Sequence, residues 1–86
     1  MKIGIIGLGV VGLSFASVLS SKGFPVIGMD SDGKKIEQIN SKKLPFFEPK
    51  LKLFLKNALS KSLEISSDID KVVRNCDFIF LTVGTP

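Results

Sequence analysis

Apolar residues in this chain occur in short runs separated by glycine, proline and polar residues, a pattern typical of buried strands in an α/β domain. No run approaches the roughly 20 residues that span a bilayer, so no membrane segment is predicted. Four runs predict strands, and the last of them is apolar enough to predict a fully buried one. These strands are Lys2–Ile6, Pro25–Met29, Leu63–Ser66 and Phe78–Val83.

Between the strands, apolar residues recur at the three- and four-residue spacing of amphipathic helices. A polar, proline-marked break over Asn40–Pro49 interrupts this pattern. The first predicted helix, Val10–Lys22, ends at Gly23, and the second starts at the Ser31-Asp32-Gly33 turn. A stripe of Leu51, Leu55, Ala58 and Leu59 predicts the third. The fourth is Ile69–Asn75, which Asp68 caps.

The resulting order, β-α-β-α-α-β-α-β, predicts an α/β fold with a parallel sheet. Right-handed crossovers give the strand order 3-2-1-4, in which the first and fourth strands are adjacent at the topological switch point. We therefore expect a Rossmann-type sheet that forms the first half of the dinucleotide-binding fold and is cut off after the fourth strand.

A glycine motif, Gly7-Leu8-Gly9-Val10-Val11-Gly12, joins the first predicted strand to the first helix, and all six of its residues are predicted cofactor contacts. In such a motif Gly7 permits a tight turn, Gly9 lets the backbone approach a pyrophosphate, and Gly12 allows close packing of helix on strand. The amides around Val10, Val11 and Gly12 open the helix, so they lack intrahelical partners and can bind phosphate.

Asp30 ends the second predicted strand, near the roughly 20-residue spacing at which an acidic residue binds the adenosine ribose. A carboxylate there accepts hydrogen bonds from the ribose hydroxyls and repels a 2′-phosphate, which favours NAD over NADP. In the alternative interpretation, the glycines serve only a turn and Asp30 only caps the next helix.

Composition agrees with a soluble α/β domain. The hydrophobic content is 44%, and the net charge of +4 comes mostly from lysines scattered along predicted helices. Nucleic-acid binding is not predicted, because the basic residues are not clustered and tyrosine and tryptophan are absent. The chain has a single cysteine, so an internal disulfide is excluded. It has no histidine, and one cysteine alone predicts no metal site. Cytoplasmic localisation is expected, since no signal peptide is recognisable.

Four segments together resemble the amino-terminal domain of the UDP-glucose/GDP-mannose 6-dehydrogenases, and the similarity spans the whole chain. Two of the segments, the third and fourth, are more diagnostic than the glycine motif, which many Rossmann dehydrogenases share. The segments are Ile3–Leu13, Gly28–Asp32, Pro45-Phe46-Phe47-Glu48-Pro49 and Val83-Gly84-Thr85-Pro86.

The resemblance implies a four-electron oxidoreductase of polysaccharide biosynthesis that oxidises the C6 hydroxyl of a nucleotide sugar to a carboxylate with two NAD, through a thiol adduct on the enzyme. In this family the catalytic cysteine, lysine, asparagine and aspartate lie far downstream, so none is assigned before Pro86. Cys76 matches no such motif and is expected to be a small, half-buried residue. We thus expect residues 1–86 to be part of an amino-terminal NAD-binding domain, without the substrate and catalytic domains, inactive alone, and homo-oligomeric as a whole protein.

The resemblance also implies further cofactor contacts. Lys35 is similar to a basic residue that reaches the adenosine side of NAD, although it could be a plain solvated lysine. Val83, Gly84 and Thr85 would line the cofactor beyond the fourth strand, or Thr85 could simply end that strand. Glu48-Pro49 is expected to shape a loop and to take no part in catalysis.

The chain departs from the family pattern at two positions: Val10 replaces a usual tyrosine, and Lys50 replaces the glycine after Glu-Pro. Neither change affects phosphate binding, but the second puts the local turn in doubt. Two other classes stay open from the sequence, namely another NAD-dependent Rossmann dehydrogenase and a non-catalytic nucleotide-sensing module.

Overall fold

The computed structural model describes residues 1–41, 55–58 and 61–82. Its strands are β1 (Ile3–Ile6), β2 (Val26–Met29), β3 (Leu63–Ser66) and β4 (Phe78–Leu81). Its helices are α1 (Val10–Ser21), α2 (Gly33–Asn40) and α3 (Ile69–Asn75), and residues 55–58 are also helical. The predicted break over Asn40–Pro49, Leu51, Leu59, and the Pro45–Pro49 and Val83–Pro86 segments fall wholly or mostly outside the described residues.

The four strands form one parallel sheet in the order β3-β2-β1-β4, which confirms the predicted topology. Ile6 pairs with Met29 on one side and with Leu81 on the other, and Met29 pairs with Ser66. The carboxyl ends of all four strands therefore lie level at one edge. Whatever follows each strand is brought to that edge, where ligands of open α/β sheets bind.

Side chains alternate between the two faces of the sheet and build two apolar clusters. The larger cluster contains Ile3 and Ile5 of β1, packed with residues of α1, α2 and the 55–58 segment. Leu55 and Ala58 are buried there, as the helical stripe predicts. The smaller cluster lies on the other face and consists of Ile27, Met29 and Val72, with the partly buried Ile6 and Cys76 against it.

Local chemistry sets the helix ends, and the sequence predicts two of them, the Asp68 cap and Gly23 after α1. Asp32 caps α2 by accepting hydrogen bonds from the amides of Lys34 and Lys35, and Asp68 caps α3 at the amide of Asp70. After α1, Gly23 has a φ of +96°. This left-handed conformation ends a helix, and glycine adopts it without strain.

The prediction that the fourth strand is fully buried is wrong. The β4 residues are 39% to 70% exposed, because among the described elements β1 is the main neighbour of this edge strand, whereas α1 and α2 pack on β3 at the opposite edge. Phe80 contacts Phe15 of α1 edge to face, with ring centroids 5.1 Å apart. Apolar composition indicated a strand that can be covered on both faces, but it could not indicate which edge of the sheet is left uncovered.

Among the described residues, no helix has the length and hydropathy needed to cross a membrane.

Candidate dinucleotide-binding site

A cleft of about 420 Å³ opens at the carboxyl edge of the sheet. Its walls come from the ends of β1 and β2, from Thr82 after β4, and from the starts of three helices, at Gly9, Lys35 and Ile69. Its lining includes Gly7, Gly9, Asp30, Lys35 and Thr82. The sheet register thus gathers residues far apart in the chain into one site.

The turn after β1 requires glycine at two positions for different reasons. Gly7 has a φ of +101°, which L side chains rarely adopt, and its amide donates to the Met29 carbonyl at 2.8 Å. At Gly12, a Cβ would overlap the carbonyl oxygen of Gly7 and the hydroxyl of Thr82. The predicted tight turn and close helix packing are both confirmed.

Gly9 differs, because a Cβ built on it meets no described atom within 4 Å. Its φ of −76° is also one that any residue can adopt. Nothing in the packing of the described residues therefore calls for glycine at this position, which faces the open cleft. A close approach by a ligand would account for it, as expected of the second glycine in a phosphate-binding turn.

Helix α1 begins beside the cleft, which its N-cap residue Gly9 lines. Its first intrahelical bond runs from the Leu13 amide to the Gly9 carbonyl at 2.9 Å, so the amides of Val10, Val11 and Gly12 precede the repeating pattern. The first turn contains no acidic side chain, and Gly9 at the N-cap has no side chain to occupy them. These amides and the helix dipole together make an anion-binding end.

Asp30 lies immediately after β2 and is held from three directions. Its Oδ2 accepts a hydrogen bond from the Leu8 amide at 2.9 Å and pairs with Lys35 Nζ at 3.3 Å, while its Oδ1 accepts from the Asp32 amide at 2.9 Å. Partial burial alone would raise the pKa of the Asp30 carboxyl, but the bonds from Leu8, Asp32 and Lys35 outweigh it and hold the pKa below its ordinary value. Asp30 is therefore a carboxylate at neutral pH.

Leu8 was predicted to contact the cofactor, and the structure shows what else it does. Its side chain is fully buried in the larger core cluster, and its amide is bound to Asp30. Leu8 therefore links the glycine turn to the end of β2. Its direct contact with a cofactor stays a prediction.

Sequence reasoning missed Thr82, which follows β4. The Thr82 hydroxyl donates to the Gly7 carbonyl at 2.5 Å, and its amide donates to the Ile6 carbonyl at 2.8 Å. The sequence places Thr82 inside the predicted strand Phe78–Val83, whereas β4 ends at Leu81, so Thr82 follows the strand and meets the residue directly after β1. Val83, Gly84 and Thr85, which were predicted as site residues, lie outside the described residues.

The residues present fit a dinucleotide. Gly9 lines the cleft and is open to close approach, α1 begins beside it, and the carboxylate of Asp30 lines the same cleft. A parallel sheet in this order, with a glycine turn after β1 and an acidic residue after β2, defines the class of Rossmann-type dinucleotide-binding domains.

Comparison with known proteins specifies the family. The model of the UDP-glucose/GDP-mannose dehydrogenase family, NAD binding domain, matches residues 1–86. The chain therefore belongs to this family, as its NAD binding domain, and NAD is the cofactor of that domain.

Relatives and solved structures agree with this assignment. The chain is 42% identical over 87 residues to UDP-glucose 6-dehydrogenase of Rickettsia prowazekii, and 41% identical over 87 residues to GDP-mannose 6-dehydrogenase of Pseudomonas aeruginosa. Each alignment covers 100% of this chain and 20% of the relative.

Among solved structures, GDP-mannose dehydrogenase of Pseudomonas aeruginosa matches with a TM-score of 0.91 at 41% identity, over 100% of this chain and 20% of that one. UDP-glucose dehydrogenase of Pyrobaculum islandicum matches with a TM-score of 0.93 at 30% identity, over 99% and 20%. This chain thus spans about a fifth of the length of these proteins.

Proposed function

We propose that the intact protein carrying this domain is an NAD-dependent nucleotide-sugar 6-dehydrogenase. The observation that carries the proposal is the meeting of the glycine turn and Asp30 at one cleft in a chain of this family. In the overall reaction, a primary alcohol, one water and two NAD⁺ give a carboxylate, two NADH and three protons. When bound, NAD accepts a hydride from the sugar carbon.

The chain's own residues bind and orient the cofactor. The amides of Val10, Val11 and Gly12 hold the pyrophosphate, and Gly9 leaves room for it. Support comes from the free amides at the start of α1 and the open space at Gly9.

Asp30 accepts hydrogen bonds from the adenosine ribose. A carboxylate offers about four acceptor positions, and three are already used by Leu8, Asp32 and Lys35. A ribose diol needs two, so one existing contact has to give way. The partly exposed Lys35 ammonium is the contact that can move without disturbing the backbone, which agrees with the proposed reach of Lys35 to the adenosine side. Val83, Gly84 and Thr85 complete the cofactor wall in this proposal.

The 86-residue chain on its own binds cofactor at most and is catalytically inert, since no residue in it is assigned to the chemistry at the sugar. The substrate is a nucleotide sugar held by other parts of the protein, and the whole protein is a homo-oligomer located in the cytoplasm. Neither nucleic acid nor membrane is a proposed partner, because the lysines are scattered along the helices.

The test is NADH formation by the intact protein with a panel of UDP- and GDP-sugars, with NADP⁺ as the control cofactor. The proposal predicts about two NADH per sugar consumed, because oxidation of an alcohol to a carboxylate removes four electrons. One NADH per sugar would indicate another dehydrogenase reaction. No turnover across the panel, despite measurable NAD binding, would support a nucleotide sensor instead.

A further inference from the structure

We propose that Thr82 is a positioning residue for the dinucleotide site and that its hydroxyl sets the orientation of the glycine turn. This inference rests on the proposed cofactor role of that turn. Thr82 Oγ1 lies 2.5 Å from the Gly7 carbonyl oxygen and 3.3 Å from that of Ile6. A hydroxyl has one proton to donate, and the shorter contact takes it.

The bond to Gly7 acts on a whole peptide plane. The Gly7 carbonyl and the Leu8 amide belong to the same trans peptide group, so they point in opposite directions. Thr82 holds the carbonyl side, and Asp30 Oδ2 accepts from the amide side at 2.9 Å. One rigid unit therefore connects the end of β4 to the end of β2 through the turn.

Freedom at Gly7 makes such a restraint necessary. Glycine permits the φ of +101°, but it also permits many other conformations, so the turn needs an outside contact to keep one of them. Thr82 is itself fixed, because its amide donates to Ile6 in the ladder between β1 and β4. Bonds in a connected series also polarise one another, so the Thr82 hydroxyl strengthens the Leu8 bond to Asp30.

The packing leaves room for the hydroxyl and for little else. A Cβ at Gly12 would overlap both Thr82 Oγ1 and the Gly7 carbonyl, so these atoms fill the space between the turn and α1. Because Gly12 has no Cβ, there is room for the Thr82 hydroxyl and for close packing of α1 on the turn. A methyl group in place of that hydroxyl would leave the Gly7 carbonyl without this donor and would press against it.

The test compares three variants of the intact protein by calorimetric titration with NAD⁺ and by thermal unfolding. Thr82→Ser and Thr82→Ala both lack the methyl group and differ only in the hydroxyl, while Thr82→Val keeps the shape and lacks the hydroxyl. We expect Thr82→Ala and Thr82→Val to bind NAD⁺ about tenfold more weakly, the effect of losing roughly one hydrogen bond. Thr82→Ser is expected to stay within about twofold of the wild type.

Affinity should therefore follow the hydroxyl, whatever the order of melting temperatures. If Thr82→Ser binds as weakly as Thr82→Ala, affinity follows the lost methyl group and not the hydroxyl, so Thr82 is only a packing residue and the inference is overturned. Wild-type affinity in Thr82→Ala would also overturn it while leaving the proposed function intact. Failure of the wild type to bind NAD⁺ would instead refute the proposed function, and this inference with it.

Discussion

Two glycines of the same turn should respond in opposite ways to the same substitution. In Gly12→Ala, the new methyl group overlaps the Gly7 carbonyl oxygen and the Thr82 hydroxyl. Neither can withdraw easily, because the Gly7 amide is bound to Met29 at 2.8 Å and the Thr82 amide is bound to Ile6 at 2.8 Å. In Gly9→Ala, the methyl group enters open space in the cleft.

The expected magnitudes follow from these contacts. Overpacking against a fixed backbone costs about 3 kcal/mol, the upper end of the usual range, and the better helix propensity of alanine returns about 1 kcal/mol. Gly12→Ala should therefore lose about 2 kcal/mol, which lowers the melting temperature of a domain this size by roughly 8 to 16 °C. For Gly9→Ala, a poorer N-cap and a less flexible unfolded chain nearly cancel, so stability should change by less than about 1 kcal/mol.

Cofactor affinity should separate the pair further. Gly9→Ala is expected to bind NAD⁺ at least about tenfold more weakly, because its methyl group occupies the space proposed for the pyrophosphate. The assays are thermal unfolding followed by circular dichroism and titration with NAD⁺. A Gly12→Ala variant as stable as the wild type would refute the packing argument. A Gly9→Ala variant with unchanged affinity would show that the pyrophosphate lies elsewhere.

Three further predictions concern Asp30, Gly4 and Cys76. Hydrogen bonds lower the pKa of Asp30 in the folded protein, so its contribution to stability is present above about pH 4 and is lost as the pH falls through the lowered pKa. Asp30→Asn should therefore make the melting temperature depend less on pH on the acid side. An acid slope equal to that of the wild type would contradict this. A Cβ on Gly4 would lie 2.5 Å from Val72 Cγ1, so Gly4→Ala should destabilise the protein, and adding Val72→Ala should relieve the overlap. A double-mutant cycle measured by urea unfolding should give a coupling energy of about 1 kcal/mol between the two substitutions. Strictly additive effects would argue against the contact. Burial raises the pKa of the Cys76 thiol, the negative charge of Asp77 adds to this rise, and the positive charge of Lys2 opposes it. The native protein should therefore react with iodoacetamide more slowly than the unfolded protein at neutral pH. Fast labelling of the native protein would contradict this prediction.

Much of the fold could be predicted because its signals are local or topological. Asp68 and Gly23 mark helix ends by their own chemistry, and both act as expected. The strand order follows from right-handed crossovers, which depend only on the order of elements. Features that depend on neighbours were harder to predict. The exposure of β4 reflects which described elements pack against it, and an apolar run does not encode that.

The site divides in the same way. The glycine turn and Asp30 carry spacing signals and meet at one cleft as the motif predicts. Thr82 carries none, since its importance arises only when the β1–β4 register places its hydroxyl against Gly7. The Leu8 amide is similar: a backbone donor has no sequence signature, and its use by Asp30 becomes visible only in three dimensions.

The central claim is that the cleft beside Asp30 takes NAD and rejects a 2′-phosphate. Parallel calorimetric titrations of the intact protein with NAD⁺ and NADP⁺ test it most directly. A carboxylate facing the ribose predicts that NAD⁺ binds at least about tenfold more tightly, and that Asp30→Ala reduces this preference. Equal or tighter binding of NADP⁺ to the wild type would contradict the assignment of Asp30 and the orientation of the cofactor that depends on it.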